Sequence, residues 1–359
     1  MTNAPTGVNA GERPGTTPVR GAHRFNAATL EKYLNGHLKG FAGPLVIRQF
    51  EGGQSNPTYH LKAASGAYVL RKRPPGKLLP SAHAIDREYK IMTALEGSGV
   101  PVPHAHLYCE DETVIGTAFY IMDYIPGRVL ADPLLPGMAP EERAAIYNAM
   151  NDALARLHGF DWQAAGLSDY GKPDNYLARQ LARWTRQYEA SRTGDLPAMD
   201  SLRDWLAANL PPEDPARIAH GDFRIGNLMY HADEPRVRAI LDWELSTLGA
   251  PLCDLAFNCM TYHLPAGHPV SAGFAGADLA ALGIPGEAAY LDAYCHYTGR
   301  DGIPDWTYYM AFSLYRTAAI QQGVYARALQ GNASSSHARA FGESWQLVAR
   351  TGWEMIERR

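Results

Sequence analysis

Asp222, Asn227 and Asp242 are the residues whose types and spacing could do chemistry together. They lie in His220-Gly221-Asp222-Phe223-Arg224-Ile225-Gly226-Asn227, followed fifteen residues on by Asp242-Trp243-Glu244. The apolar run Val237 to Leu241 leads into Asp242 as a strand would lead into a metal-binding turn. One carboxylate can accept a proton from a hydroxyl. A second carboxylate and an amide oxygen suit magnesium, a hard ion that takes oxygen ligands. Those are the needs of phosphoryl transfer, which asks a protein mainly to align a hydroxyl with a phosphate and to neutralise charge. Taken singly, Asp-x-x-x-x-Asn is mostly a turn or cap and Asp-Trp-Glu mostly surface. Their order and spacing together carry the reading.

The interval from Asp222 to Asn227 is the D-x-x-x-x-N of a kinase catalytic loop, and Asp242 takes the position of the D-F-G aspartate. On these motifs the sequence resembles the aminoglycoside phosphotransferase-like (choline kinase-like) family, which writes H-G-D-x-x-x-x-N and then D-x-D or D-x-E. The resemblance runs from roughly Leu45 to the C-terminus. It implies an α+β, protein kinase-like two-lobe fold, with a small five-stranded antiparallel sheet lobe carrying helices and a larger, mainly helical lobe. It implies Asp222 as catalytic base, Asn227 and Asp242 as Mg2+ ligands, and ATP as donor. It makes His220 a structural brace of the loop. Asp254, in Gly249-Ala250-Pro251-Leu252-Cys253-Asp254, becomes the buried aspartate that hydrogen-bonds the loop.

The nucleotide is expected in the N-terminal lobe. Glu51-Gly52-Gly53-Gln54-Ser55-Asn56 lies between two strands, where a kinase keeps its phosphate-covering loop, and backbone amides near Ser55 and Asn56 would face phosphate oxygens. It is neither G-x-G-x-x-G nor a Walker P-loop. Tyr68-Val69-Leu70-Arg71 stands in place of the V-A-I-K strand, with arginine for the usual lysine. Strand alternation points Lys72 to the other face. Arg71 can still bridge phosphate and carboxylate. The carboxylate expected is Glu88, at the edge of a helical apolar face, where it should be partly buried and want a cation; a surface glutamate is the alternative. Phe119 to Gly127 reads as the hinge, where Asp123 and Ile125 would offer backbone hydrogen bonds to adenine.

These residues need elements to position them. Phe25 to Gly40 reads as a short helix capped by Asn26. Strands are expected at Leu45–Phe50, Thr58–Ala63 and Tyr68–Arg71, with two more around Gly116 between Val114 and Tyr124. Ser81 can cap a helix carrying Ile85, Tyr89, Met92 and Leu95 on one face. From Pro140 the texture is helical, notably Asn175–Ser191, Trp306–Leu329 and Ser335–Ile356. The expected division is a disordered arm over 1–24, a nucleotide-binding lobe over 25–125 and a catalytic and substrate lobe over 126–359.

The bulk properties set limits. The chain has 359 residues, 46% hydrophobic and 19% charged, which suits a globular protein rather than a disordered one. A net charge of −4 gives no global pull toward nucleic acid or anionic membrane. Cys109, Cys253, Cys259 and Cys295 form no C-x-x-C pair and read as buried free thiols. Residues 1–24 lack the apolar core of a signal peptide, and no run approaches a membrane span. A cytoplasmic setting is expected, with a small-molecule partner and no nucleic-acid or membrane partner. The oligomeric state is left open.

Two features bear on the acceptor. Only eleven residues separate Asp242 from Asp254 and no A-P-E follows, so there is little room for a peptide-docking segment. Arg179, Arg183 and Arg186 recur on one helix face, the wrong charge for an aminoglycoside and suited to a polyanionic handle, or else a solvated face. Leu78 to His83, Tyr176 to Gln180 and Arg316 to Val324 are similar to the kinase-like region fused to acyl-CoA dehydrogenase domains and to its stand-alone bacterial relatives. That resemblance implies phosphorylation of a hydroxyacyl-CoA in hydroxy-acid catabolism. No flavin site accompanies it. A kinase of another small alcohol, such as an amino alcohol or an aminoglycoside, and a non-catalytic nucleotide-binding scaffold are the rival readings.

Overall fold

A computed structural model of the chain describes residues 15–51, 56–74, 83–268, 272–330 and 338–358. They fall into two compact units. The first holds the residues up to Glu96 with Pro103–Ile125; the second holds Gly97–Val102 with those from Pro126 onward. The short stretch Gly97–Val102 therefore belongs with the second unit, not with a continuous 25–125 lobe.

The first unit contains strands β1 (Thr16–Thr17), β2 (Val46–Phe50), β3 (Thr58–Ala63), β4 (Gly66–Lys72), β5 (Ala105–Cys109) and β6 (Phe119–Asp123). They form one antiparallel sheet in the order β1-β2-β3-β4-β6-β5. Helix α1 (Ala27–His37) starts at Asn26, whose Oδ1 accepts from the Thr29 N–H at 3.1 Å. Its Leu30 and Leu34, with Leu38 just beyond, pack with Tyr59, Leu61, Leu70, Phe119 and Ile121 in one core. Helix α2 (Ile85–Leu95) buries Ile85, Ile91, Met92 and Leu95, and Glu88 with them.

Three expectations are corrected here. The sheet has six strands, not five. Thr16 and Thr17 pair with Phe50 and Gln49, so residues 15–24 are not a disordered arm. Around Gly116 there is one strand, not two. Residues Glu112–Ile115 form a helical turn, α3, capped by Asp111 and closed by Gly116 at φ 85°. Strand β5 leaves no clear mark in the sequence: a register shift between Ala105 and Leu107 breaks its alternation. Ser81 lies outside the described residues, and α2 follows Ala84 without a side-chain cap.

The second unit contains strands β7 (Arg128–Val129), β8 (Arg217–Ala219), β9 (Leu228–Tyr230), β10 (Val237–Ile240) and β11 (Thr247–Gly249). They make two small sheets, β10-β9-β7 and β11-β8. Its helices are α4 (Pro140–Gly159), α5 (Tyr176–Ala190), α6 (Pro197–Ala208), α7 (Pro251–Cys259), α8 (Leu279–Leu282), α9 (Glu287–Thr298), α10 (Trp306–Leu329), α11 (Ala338–Glu343) and α12 (Trp345–Glu357). Every residue from Tyr308 to Arg316 is buried, so α10 is the central helix, packed against α5, α7, α11 and α12. The single helix expected over Ser335–Ile356 is instead α11 and α12, interrupted at Ser344. Cys109, Cys253 and Cys259 are buried free thiols, while Cys295 is half-buried. Among the described residues no helix is long and apolar enough to cross a membrane.

Candidate active site

Two short ladders hold the loop that carries Asp222. Across β8 and β11, Ala219 pairs with Thr247; across β9 and β10, Leu228 pairs with Ile240. The segments 220–227 and 241–246 are thus tied at both ends. The Leu241 N–H also donates to the Asn227 carbonyl at 2.8 Å, which sets Asp242 beside the end of the loop. Gly221 sits at φ +83°, and a Cβ there would stand 2.8 Å from the Leu245 carbonyl oxygen. Only glycine satisfies both conditions.

The side chains complete the bracing. Asn227 Nδ2 donates to the Asp222 carbonyl at 2.8 Å and to its Oδ2 at 2.7 Å. The Arg224 Nε lies 3.5 Å from the same Oδ2. His220 is fully buried. Its Nε2 lies 2.9 Å from the Leu241 carbonyl, which can only accept, so Nε2 carries the proton. Nδ1 then accepts from the Asp222 N–H at 3.2 Å. One neutral imidazole therefore links the backbone of Asp222 to the residue before Asp242. The Trp243 ring packs edge-on against His220 at 4.9 Å, and its indole N–H donates to the Ile240 carbonyl at 3.0 Å.

Asp254, from α7, is buried beneath this loop. It accepts from the N–H groups of His220 at 2.5 Å and Gly221 at 2.8 Å, with His158 Nε2 at 3.5 Å. Burial alone would raise its carboxyl, but the His158 side chain and the Gly221 amide outweigh that and hold it below the usual carboxylate range. A carboxyl depressed in the folded state stabilises the fold above its unfolded value and loses that contribution as pH falls through the folded value. Asp254→Ala leaves two buried N–H groups without an acceptor, each costing about 1–3 kcal/mol. Urea denaturation at neutral pH should show a loss of that order, and the variant should also lose part of the native protein's acid sensitivity. A near-native midpoint would remove Asp254 from this role.

The residues present fit a magnesium ion. Because Nδ2 of Asn227 is turned to Asp222, its amide oxygen points elsewhere and can serve as a ligand. Among the described residues no three His, Cys, Asp or Glu side chains cluster as a metal site. The described residues thus offer a partial oxygen set, which is how magnesium is held when phosphates supply the rest.

A cavity of about 510 Å³ opens at Asp222 within the second unit. Phe257, Met260, Leu264, Ile320 and Phe341 give it apolar walls, and Asp222 is the only carboxylate among its described lining residues. Arg224 and Arg316 also line it. The text from Arg316 onward marked only a family likeness in the sequence. A sharper signal was available, because Arg316 ends a buried stretch on α10 that is otherwise free of charge. Arg179, Arg183 and Arg186 do not line the cavity. Arg179 bonds the Lys172 carbonyl at 2.6 Å, Arg183 lies over the Trp184 ring at 5.1 Å, and Arg186 is exposed.

In the first unit, Arg71 Nε lies 2.9 Å from Glu88 Oε2, both buried. Asn56 Nδ2 and the Tyr120 hydroxyl also donate to Glu88, at 2.8 and 2.9 Å. Lys72 points the other way, with Nζ 5.4 Å from the centre of the Phe25 ring, and burial lowers its pKa. The Asp123 N–H donates to the His104 carbonyl at 2.9 Å, so an adenine would have to use its carbonyl instead. Ser55 lies outside the described residues.

A two-unit fold with this loop defines a phosphotransferase. Residues 46–306 match the model of the phosphotransferase enzyme family, and the chain belongs to that family, of the aminoglycoside and choline kinase type. It is similar to acyl-CoA dehydrogenase family member 10 from Mus musculus, at 48% identity over 342 residues, covering 95% of this chain and 32% of that protein. Acyl-CoA dehydrogenase family member 11 from Homo sapiens is 44% identical over 342 residues, covering 94% of this chain and 44% of that one. The chain thus spans less than half the length of these curated relatives. A crystal structure from Ralstonia eutropha, provisionally classed as an aminoglycoside phosphotransferase, superposes with TM-score 0.86 at 50% identity, covering 93% of this chain and 99% of that one.

Proposed function

We propose that the chain phosphorylates the hydroxyl of a hydroxyacyl-CoA, using ATP and magnesium, as a step in hydroxy-acid catabolism. The observation that carries the substrate class is the cavity at Asp222, with apolar walls, two arginines and no further carboxylate among its described lining. A polycationic aminoglycoside would need several acidic partners, whereas an acyl chain buries its methylenes there at about 0.8 kcal/mol each. The names of the mouse and human relatives refer to acyl-CoA chemistry, which agrees with such an acceptor.

In this reading Asp222 accepts the hydroxyl proton as the acceptor oxygen bonds to the terminal phosphorus of ATP and the bond to ADP breaks. Asn227 fixes Asp222 through one bond to its carboxylate and one to its backbone carbonyl, and His220 and Asp254 hold the loop. Magnesium, when bound at Asn227 and Asp242, would supply neutralisation of phosphate charge. The nucleotide set in the first unit is the backbone near Ser55 and Asn56, Arg71 with Glu88, and the backbone of Asp123 and Ile125. Arg179, Arg183 and Arg186 are the handle for the anionic part of CoA.

The test compares a 4-hydroxyacyl-CoA with its free acid, choline and kanamycin in one magnesium–ATP assay. The thioester should react fastest, because remote binding energy positions the reacting hydroxyl. Faster transfer to choline or kanamycin would keep the kinase and discard this substrate. No transfer to any acceptor would favour a nucleotide-binding scaffold. Replacing Arg183 and Arg186 with glutamate should raise KM for the thioester and not for ATP, with a salt dependence set by screening over about 10 Å at 0.1 M.

A further inference from the structure

Arg316 is nine-tenths buried, and among the described residues its contacts are a carbonyl and two rings, not a carboxylate. Its Nη2 donates to the Gly221 carbonyl at 2.5 Å. Its guanidinium lies 5.4 Å from the centres of both the Trp184 and the Phe257 rings. Those contacts account for one of its five N–H donors and for its ring faces. The side chain also lines the cavity, whose walls are largely apolar. A buried cation with donors to spare costs free energy unless a ligand completes its hydrogen bonds. The bond to Gly221 places this cation one residue from Asp222, where the acceptor hydroxyl must lie.

We propose that Arg316 is a specificity-determining residue that donates hydrogen bonds to an acyl oxygen of the acceptor, a few carbons from the hydroxyl that is phosphorylated. The inference rests on the hydroxyacyl reading above and adds to it how the acyl group is recognised. The planar fork of arginine suits a carbonyl oxygen held in a fixed plane, and lysine would reproduce the charge without that geometry. The carbonyl of Gly221 orients the fork, while the two rings keep water from its faces. The apolar walls then take the rest of the chain.

The experiment pairs two acceptors with three proteins. The acceptors are a hydroxyacyl thioester and its thioether counterpart, in which a methylene replaces the carbonyl. The proteins are the native chain, Arg316→Met and Arg316→Lys, each checked for a near-native unfolding midpoint in urea. Arg316→Met should raise KM for the thioester about 10- to 100-fold, the loss of a charged hydrogen bond, with KM for ATP little changed. The thioether should bind the native protein poorly and lose nothing further in the variant. Arg316→Lys should fall between the two on the thioester alone. Equal losses on both acceptors would reduce Arg316 to a brace of Gly221 and overturn the proposal. If calorimetry shows that the native protein binds neither acceptor, the hydroxyacyl reading and this inference fall together; if it binds and phosphorylates the thioester without this coupling, only the inference falls.

Discussion

Asp222→Asn is expected to cut turnover by about 10²–10⁴-fold, the usual loss when a general base is removed, while nucleotide affinity stays close to native. The substitution is a fair test because the geometry should survive it. The Asp222 backbone carbonyl still accepts from Asn227 Nδ2, and the new amide oxygen can take the second bond that Oδ2 accepts in the native loop. His220 still accepts from the backbone N–H of that position. What disappears is the capacity to take a proton. Steady-state kinetics measure the first quantity and calorimetry with a non-hydrolysable nucleotide the second. Turnover within about threefold of native would remove Asp222 from the role of base.

Asp242→Gly should have effects of opposite sign on stability and activity. Asp242 holds φ 68° and ψ 60°, the left-handed region. A residue with a Cβ pays roughly 1–2 kcal/mol there, a strain that glycine does not carry. Strain of this kind persists at functional sites where the surroundings over-determine it. Here the surroundings are the Leu241 N–H bonded to Asn227 on one side and the buried Trp243 ring on the other. The glycine variant should therefore unfold at equal or higher urea concentration. It should also lose magnesium-dependent nucleotide binding, because one of the two proposed protein ligands would be gone and magnesium binds through few carboxylates. Nucleotide titrations with and without magnesium read the effect directly. An unchanged magnesium dependence would show that Asp242 is not a ligand.

Much of the site was legible because its parts are close in sequence. Asp222 and Asn227 share one loop, and their mutual hydrogen bonds span only five residues. Asp242 follows a short strand, and the turn after it is local. Helix α10 was readable over its full length because nothing in Trp306–Leu329 interrupts it, and Asn26 capped α1 through a contact three residues away. Arg71 and Glu88 could be paired in advance, since a glutamate on the edge of an apolar helical face needs a cation once buried.

What sequence spacing brought together, then, are the candidates for chemistry: a carboxylate proposed as base, an amide and a second carboxylate proposed for metal, and a helical unit to carry them. Tertiary structure alone decided the partners that meet from far apart. Thr16 and Thr17 join the sheet through Phe50 and Gln49, a pairing too short to leave an alternating pattern. Strand β5 hides behind a register shift, and α11, whose Gly342 leaves no room for a Cβ against the backbone of Tyr325 on α10, ends before Ser344. Arg316 reaches Gly221 across 95 residues of chain. Local periodicity reports which face of a segment is apolar. It carries no information on which distant face will cover it, and the cavity at Asp222, with its buried arginine, is built from such meetings.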